Sequence, residues 1–477
     1  MNGHGVRPRP LPHIGTETTA STSSVRSAGS HARSRAAGFF TLWAPVLLFI
    51  LVLLVHGLSR VSQSCDSIWS VNEALTIAKE GKTDLDEYRD SILPGPHYLY
   101  VMINGHIYSS YPIGTPLLAA PFVYLIDVGL RALVATPLLP ERFLGRTRAN
   151  GNQMAGAVSH HGRVEILVAS LFVALTAVLL YFVGRQFLNG WLSLILACIF
   201  AFCTPAWSSA SRALWQHGPS MLMLAAALLI LLKAREKPFL AQFASLPLAY
   251  SFVVRPTNAL SIVGLTLFVA IRHRRYLLRY LAWSLVVVVP YLWYDLWLYH
   301  SILSPYYALG QQSTTAHLFE GLAGTLASPS RGLFVYSPVF LFALGGMVLK
   351  LKKGQDRVLD LLLVAVVAAH WLFISSFPDW WYGGHSYGPR LFADMVPYLV
   401  YFLIPVLIWF AENRGALHGL LMAVFVLLVF ASFLINLNGG VNNATFLWNV
   451  DPVNVDTKKS RLWDWSDPQF LRGILRQ

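Results

Sequence analysis

The chain has 477 residues, 55% of them hydrophobic, only 12% charged, and carries a net charge of +13. A soluble globular domain carries roughly 25% charged residues, so this charge content together with long apolar runs excludes a soluble domain and indicates a polytopic membrane protein. The positive charge does not indicate nucleic acid, because the basic residues form short clusters between the apolar runs, the pattern of cytoplasmic loops.

Residues 1–37 are rich in Ser, Thr, Gly, Arg and His and hold five arginines against one glutamate. Such a segment buries too little apolar surface to order itself, and its charge places it on the cytoplasmic side as a disordered basic tail. The run 39–58 is long enough to cross a bilayer. Its apolar stretch and leading segment are both too long for a signal peptide, and no small-x-small cleavage site follows, so it reads as an uncleaved first span. Further apolar runs fall at 164–184, 191–207, 218–232, 240–253, 257–271, 277–298, 333–349, 358–376, 391–410 and 416–436. The run 113–135 is interrupted by prolines at 112, 116 and 121 and reads as an interfacial or re-entrant helix, since such residues are tolerated at membrane depth where the backbone lies against protein.

The basic clusters are Arg185, "KAREK" at 233–237, "RHRRYLLR" at 272–279, "KLKKGQDR" at 350–357, and Arg414. Placing each of them inside gives an all-α protein with eleven transmembrane helices, or twelve if 113–135 crosses. The N-terminus is then inside and the C-terminus outside, with a large extracytoplasmic first loop, 59–163, that contains interfacial helices. The basic stretch 142–163 falls outside in this scheme, which long loops permit. The expected organisation is the tail 1–37, a transmembrane core 38–298, C-terminal helices 299–436 and an extracytoplasmic tail 437–477.

Nearly all chemically varied residues then fall on the outer side at helix ends, where ionisable groups mark sites. Asp66 follows the first span and reads either as a helix cap or as a catalytic base. Glu73 lies one heptad on, sharing a helical face with Asp66 and Trp69; a second acid, a metal ligand and the polar side of an interfacial helix are all open readings. Arg212 and His217 stand in "SRALWQHG", Arg255 in "RPTN" and Arg331 in "SPSRG". Each is either a ligand contact or, for Arg255 and Arg331, a side chain snorkelling to headgroups. The densest constellation is "PDWWYGGHSYGPRLFAD", with His385, Tyr387, Arg390 and Asp394. Its paired aromatics suit the face of a sugar ring or a membrane-interface belt, and Arg390 is expected either to bind phosphate or to pair with Asp394 at i, i+4. The "HH" at 160–161 reads as solvated. No phosphate loop, zinc-ligand spacing, Ser-His-Asp signature or internal repeat stands out, and three cysteines make no disulfide framework.

In order along the chain, the acid in "SCDSIWSVNEALTIAKEG", the Pro-containing "YPIGTPLLAAPF", the span end "YFVGRQFLNG" and the hairpin "LAYSFVVRPTNALSIVGL" resemble GT-C type membrane glycosyltransferases of the mannosyltransferase and aminoarabinose-transferase kind. The likeness covers residues 39 to about 275 and extends more loosely through "WYGGHSYGPRLFADMVPY". It implies transfer of a sugar from a polyprenyl-phosphate donor to a glycan, lipid or protein acceptor, by inverting displacement on the outer face of a bacterial inner membrane. Asp66, with Glu73 in the place of a second acid, would be catalytic. Arg212, His217, Arg255, Arg331, His385, Tyr387 and Arg390 would serve donor phosphate and substrate, and a divalent cation is an open cofactor. Partners would be the donor lipid, the acceptor and membrane lipids, with no nucleic acid. The competing class is a lipid or solute transporter, which would show repeated halves with broken helices at the midplane. A noncatalytic protein that kept the fold is the third.

Overall fold

The computed structural model describes residues 39–135, 161–308, 317–377 and 380–474. The expected disordered tail 1–37, most of the basic stretch 142–163, and His160 lie outside them. Six described helices are long and apolar enough to cross a membrane: Gly114–Leu133, His161–Gly184, Arg274–Tyr299, Arg357–Ser375, Arg390–Glu412 and Ala416–Val441. Shorter apolar helices include Ala44–Leu58, Gly190–Phe202, His217–Lys233, Pro238–Val254 and Pro256–Arg272. These fall where the sequence places further spans, but each is too short to rank with the six.

Helix ends follow local chemistry. Asn189 caps Gly190–Phe202 by accepting from the Leu192 amide at 3.0 Å, and Asp356 caps Arg357–Ser375 through the Leu359 amide, each satisfying a donor that a helix start leaves open. The centre of the bundle is His161–Gly184, which packs on Ala44–Leu58, Gly190–Phe202 and His217–Lys233. Its alanines and valines are almost wholly buried. Ala416–Val441 is the opposite case. Leu417, Leu420, Val426, Leu427 and Phe430 all point outward, an apolar face that hydrocarbon covers at no cost.

Three segments add to or depart from the sequence reading. Gly114–Ala135 is one continuous helix despite Pro121. It packs on Ser70–Glu80, and its Asp127 pairs with Lys79 at 2.7 Å and Arg131 at 2.9 Å. The fold is also not purely helical. Tyr100–Ile103 and His106–Ser109 pair as an antiparallel hairpin around Asn104-Gly105, both at positive φ, which is the dipeptide that a tight hairpin turn prefers.

The third is the C-terminal segment, which folds back over the loop that holds Trp381 and Tyr382 rather than trailing. Trp448, Val455 and Leu462 form a cluster with Trp381 and Tyr382. Gln469 Nε2 donates to the Ser386 carbonyl at 2.8 Å and the Thr445 carbonyl at 3.0 Å, while Asn449 Nδ2 donates to Ser386 at 3.1 Å. The loop that leads to Arg390 is thus clamped from both sides.

Candidate active site

The chain leaves the first helix at Ser59 and is pinned to the segment 206–212. The Gln63 amide donates to the Arg212 carbonyl at 3.1 Å, and Gln63 Nε2 to the Ser208 carbonyl at 2.7 Å. It then turns through Asp66–Trp69 before the helix Ser70–Glu80 begins. Asp66 does not cap that helix; the cap position is Trp69, and no side chain fills it. The Asp66 carboxylate instead accepts from Arg390 Nη1 at 3.0 Å.

Arg390 arrives from the far end of the chain. Gly383, Gly384 and Gly388 carry φ of +74°, +63° and +64°, a region that L side chains avoid. At Gly388 a Cβ would also come within 2.5 Å of Tyr336 Cδ1. Arg390 opens a 3-10 turn, Arg390–Met395, with its guanidinium 4.4 Å above the Trp215 ring, a favourable cation–π stack. The expected Arg390–Asp394 pair does not form. At three residues per turn, positions i and i+4 diverge, and Asp394 faces Arg255 and His217 instead, at 3.2 Å and 3.4 Å. Arg255 precedes Pro256, which keeps it out of helical geometry; its φ and ψ are −154° and 108°. Its Nε donates to Thr257 Oγ1 at 2.8 Å, and its Nη1 lies 2.7 Å from His217 Nδ1.

Asp66, Glu73, His217, Arg255 and Arg390 line one cleft, with Tyr111, Trp215, Gln216, Tyr306 and Tyr307. Two arginines are matched there by two carboxylates, Asp66 and Asp394. Glu73 is only 4% exposed, and burial pushes its carboxyl up to about 8, partly offset by the Ser109 hydroxyl. Glu73 should therefore take stability away as pH rises through the window from about 4.5 to about 8, because in that window its side chain is ionised in the unfolded chain and not in the native one. Glu73→Gln should remove that contribution, on the order of a few kcal/mol between the two ends of the window, so the two proteins should differ by that much in how stability changes with pH. Thermal melting of both proteins across the window measures it, and parallel curves would place Glu73 in a wetter site.

The other expected site residues lie outside the cleft. Arg212 is buried and donates to the carbonyls of His56 and Trp207. Arg331 is buried and donates to the Tyr382 and Gly384 carbonyls, Gln469 Oε1 and Asn449 Oδ1 at 2.6–2.9 Å. His385 Nε2 lies 3.0 Å from Asn454 Oδ1 and 3.2 Å from Asp456 Oδ2. The Tyr387 hydroxyl donates to the Ile435 carbonyl at 2.7 Å. Each supports the loop that presents Arg390 or the turn that receives the first helix.

One residue of consequence escaped the sequence reading. Glu165, fully buried in His161–Gly184, accepts from the Ser67 hydroxyl and, at 3.0 Å, from the Leu214 amide. It joins the residue after Asp66 to the residue before Trp215. The available signal was an acid at the edge of a long apolar run.

Among the described residues no three His, Cys, Asp or Glu side chains converge, and the Asp66 carboxylate is already met by Arg390.

No family model matches the chain, and no curated protein matches it. Among solved structures, it is similar to the Archaeoglobus fulgidus oligosaccharyltransferase tethered with an acceptor peptide, at 11% identity and a TM-score of 0.49, over 89% of this chain and 59% of that one. It is also similar to the oligosaccharyltransferase AglB of the same organism in complex with an inhibitory peptide and a dolichol-phosphate, at 10% identity and a TM-score of 0.46, over 90% of this chain and 61% of that one. The chain thus spans about three fifths of the length of each.

Proposed function

We propose that this chain is a membrane glycosyltransferase of the GT-C kind, which moves a sugar from a polyprenyl-phosphate donor to an acceptor hydroxyl by a single inverting displacement. The observation that carries the reading is the Asp66–Arg390 pair at 3.0 Å, in one cleft with Arg255 and just beyond the first apolar helix. A carboxylate and two guanidiniums at that depth supply what the reaction needs. Asp66 takes the proton of the acceptor hydroxyl as its oxygen attacks the anomeric carbon. The bond from that carbon to the phosphate oxygen breaks, and the bonding pair leaves on the polyprenyl phosphate. Arg390 and Arg255 stabilise the charge that develops there, where guanidinium forks match phosphate oxygens. For this, Arg390 passes from Asp66 to the phosphate, which frees the base as the donor arrives.

Purified protein offered a panel of polyprenyl-phosphate sugars and a membrane-extract acceptor should release polyprenyl phosphate with one of them. No transfer from any donor would sink the reading. The cleft is extracytoplasmic on this proposal, in a multi-pass inner-membrane protein, since the basic clusters lie at the other ends of the apolar runs. A reporter fused at the C-terminus should accordingly be active only outside the cytoplasm, and cytoplasmic activity would reverse the orientation.

A further inference from the structure

The Asp66–Arg390 contact has to open when the donor arrives, and the base then needs another hold. Among the described residues, the Asp66 carboxylate accepts from Arg390 Nη1 at 3.0 Å and from the Cys65 thiol at 3.6 Å, and a thiol is a weak donor. Once Arg390 moves to the phosphate, only that weak contact remains on the side chain. The turn that carries Asp66 has two backbone bonds of its own. The Ile68 amide donates to the Cys65 carbonyl at 3.3 Å, and the Ser70 amide to the Ser67 carbonyl at 2.9 Å. Neither ties the turn to the helix bundle. The Ser67 hydroxyl does, by donating to Glu165 Oε1.

The arginine's side of the cleft hangs on the same oxygen. Glu165 Oε1 also accepts from the Leu214 amide at 3.0 Å. The next residue, Trp215, carries the ring on which the Arg390 guanidinium stacks at 4.4 Å. These links close a circuit that runs from Asp66 through Ser67, Glu165, Leu214, Trp215 and Arg390 back to Asp66. Opening the Asp66–Arg390 contact breaks it at one point only. Glu165 then sets the spacing between the base and the platform under the arginine. It is wholly buried in His161–Gly184, the central helix of the bundle. A carboxyl in so apolar a helix is costly unless it is hydrogen-bonded, and both of its donors belong to residues that line the cleft.

We infer that Glu165 is a positioning residue for the transfer, holding Asp66 and Trp215 in register while Arg390 passes from the base to the donor phosphate. This rests on the glycosyltransferase reading and adds to it a residue that acts only through its neighbours. The two arms of Glu165 have separate consequences. The Ser67 arm serves the base, so its loss lowers turnover. The Leu214 arm serves the platform under Arg390, so its loss weakens donor use as well.

Three variants of the full chain in nanodiscs test this. Ser67→Ala removes the first arm alone, Glu165→Leu removes both, and Glu165→Gln keeps an oxygen for both donors. With the panel of polyprenyl-phosphate sugars, Ser67→Ala should lower kcat about tenfold to a hundredfold and leave donor KM within about twofold. Glu165→Leu should lower kcat as much and raise donor KM at least about threefold, and Glu165→Gln should recover most of both. Hydrogen exchange of segment 64–70 gives a readout free of turnover. Bare polyprenyl phosphate should leave its protection unchanged in the unaltered protein and lower it in Ser67→Ala, where the turn has lost its tie to the bundle. The role is refuted if Ser67→Ala turns over within about threefold of the unaltered protein, or if it raises donor KM as much as it lowers kcat. It is refuted equally if Glu165→Gln is as damaging as Glu165→Leu, or if the lipid leaves segment 64–70 equally protected in Ser67→Ala and the unaltered protein. Failure of the unaltered protein to bind bare polyprenyl phosphate would instead overturn the glycosyltransferase reading beneath it.

Discussion

Asp66→Asn should lower the rate of glycosyl transfer about 10²–10⁴-fold, the usual contribution of a positioned general base. Asparagine keeps the shape of the side chain and an oxygen for Arg390 Nη1, now 3.0 Å from the carboxylate. It loses the basicity that takes the acceptor's proton. The substitution also removes the negative charge that competes with the donor phosphate for Arg390. Donor affinity should therefore hold or rise while the turnover number falls, a split that general misfolding does not produce. Steady-state kinetics with donor and acceptor varied separately, alongside donor binding, measures both. Near-normal turnover would remove Asp66 from the chemistry. If Glu73→Gln were the damaging change instead, the base would move there. Glu73 lies in the same cleft, but its raised carboxyl suits it to donate a hydrogen bond at neutral pH rather than to accept a proton.

Arg390→Ala is expected to raise the donor KM about tenfold to a hundredfold, since hydrogen bonds to charged groups contribute about 1.5–3 kcal/mol. Arg390→Lys should fall between, because lysine offers one compact charge in place of a planar fork. Asp394→Asn separates this role from plain structure. The Asp394 carboxylate faces Arg255 and His217 rather than Arg390, and it is fully buried. Its loss leaves a buried guanidinium without its counter-charge, at a cost of about 3–5 kcal/mol. Asp394→Asn should thus lower the melting temperature markedly, and Arg390→Ala should lower it little. An unchanged donor KM in Arg390→Ala together with a clear loss of stability would make Arg390 a structural residue and leave Arg255 as the phosphate contact.

Five of the nine expected site residues meet in one cleft, and what made them legible is simple. Asp66, Glu73, His217, Arg255 and Arg390 are ionisable groups at or near the ends of apolar runs, where burial demands a reason. The four that lie elsewhere have the same local appearance. Arg331 and Arg390 are both arginines in Gly- and Ser-containing loops between apolar runs, yet one anchors the C-terminal segment and the other reaches Asp66. That difference depends on Asn449 and Gln469, more than a hundred residues from Arg331, which no local pattern encodes. The Arg390–Asp394 pairing failed for a narrower reason, since spacing predicts a face only once the helix type is known, and a 3-10 turn rotates the face away. Asn104-Gly105 was readable as a hairpin turn, but the apolar context drew attention to helices alone.

Arg390 is held in place by parts of the chain that are synthesised after it. Asn449 and Gln469 clamp the loop that precedes it through the Ser386 carbonyl and Arg331, and both are translated after the last long apolar helix, Ala416–Val441. Without Asn449 and Gln469 the loop before Arg390 lacks these hydrogen bonds. The Asp66–Arg390 pair thus depends on contacts made by a segment that follows Ala416–Val441, which couples the cleft to the folding of a distant part of the chain.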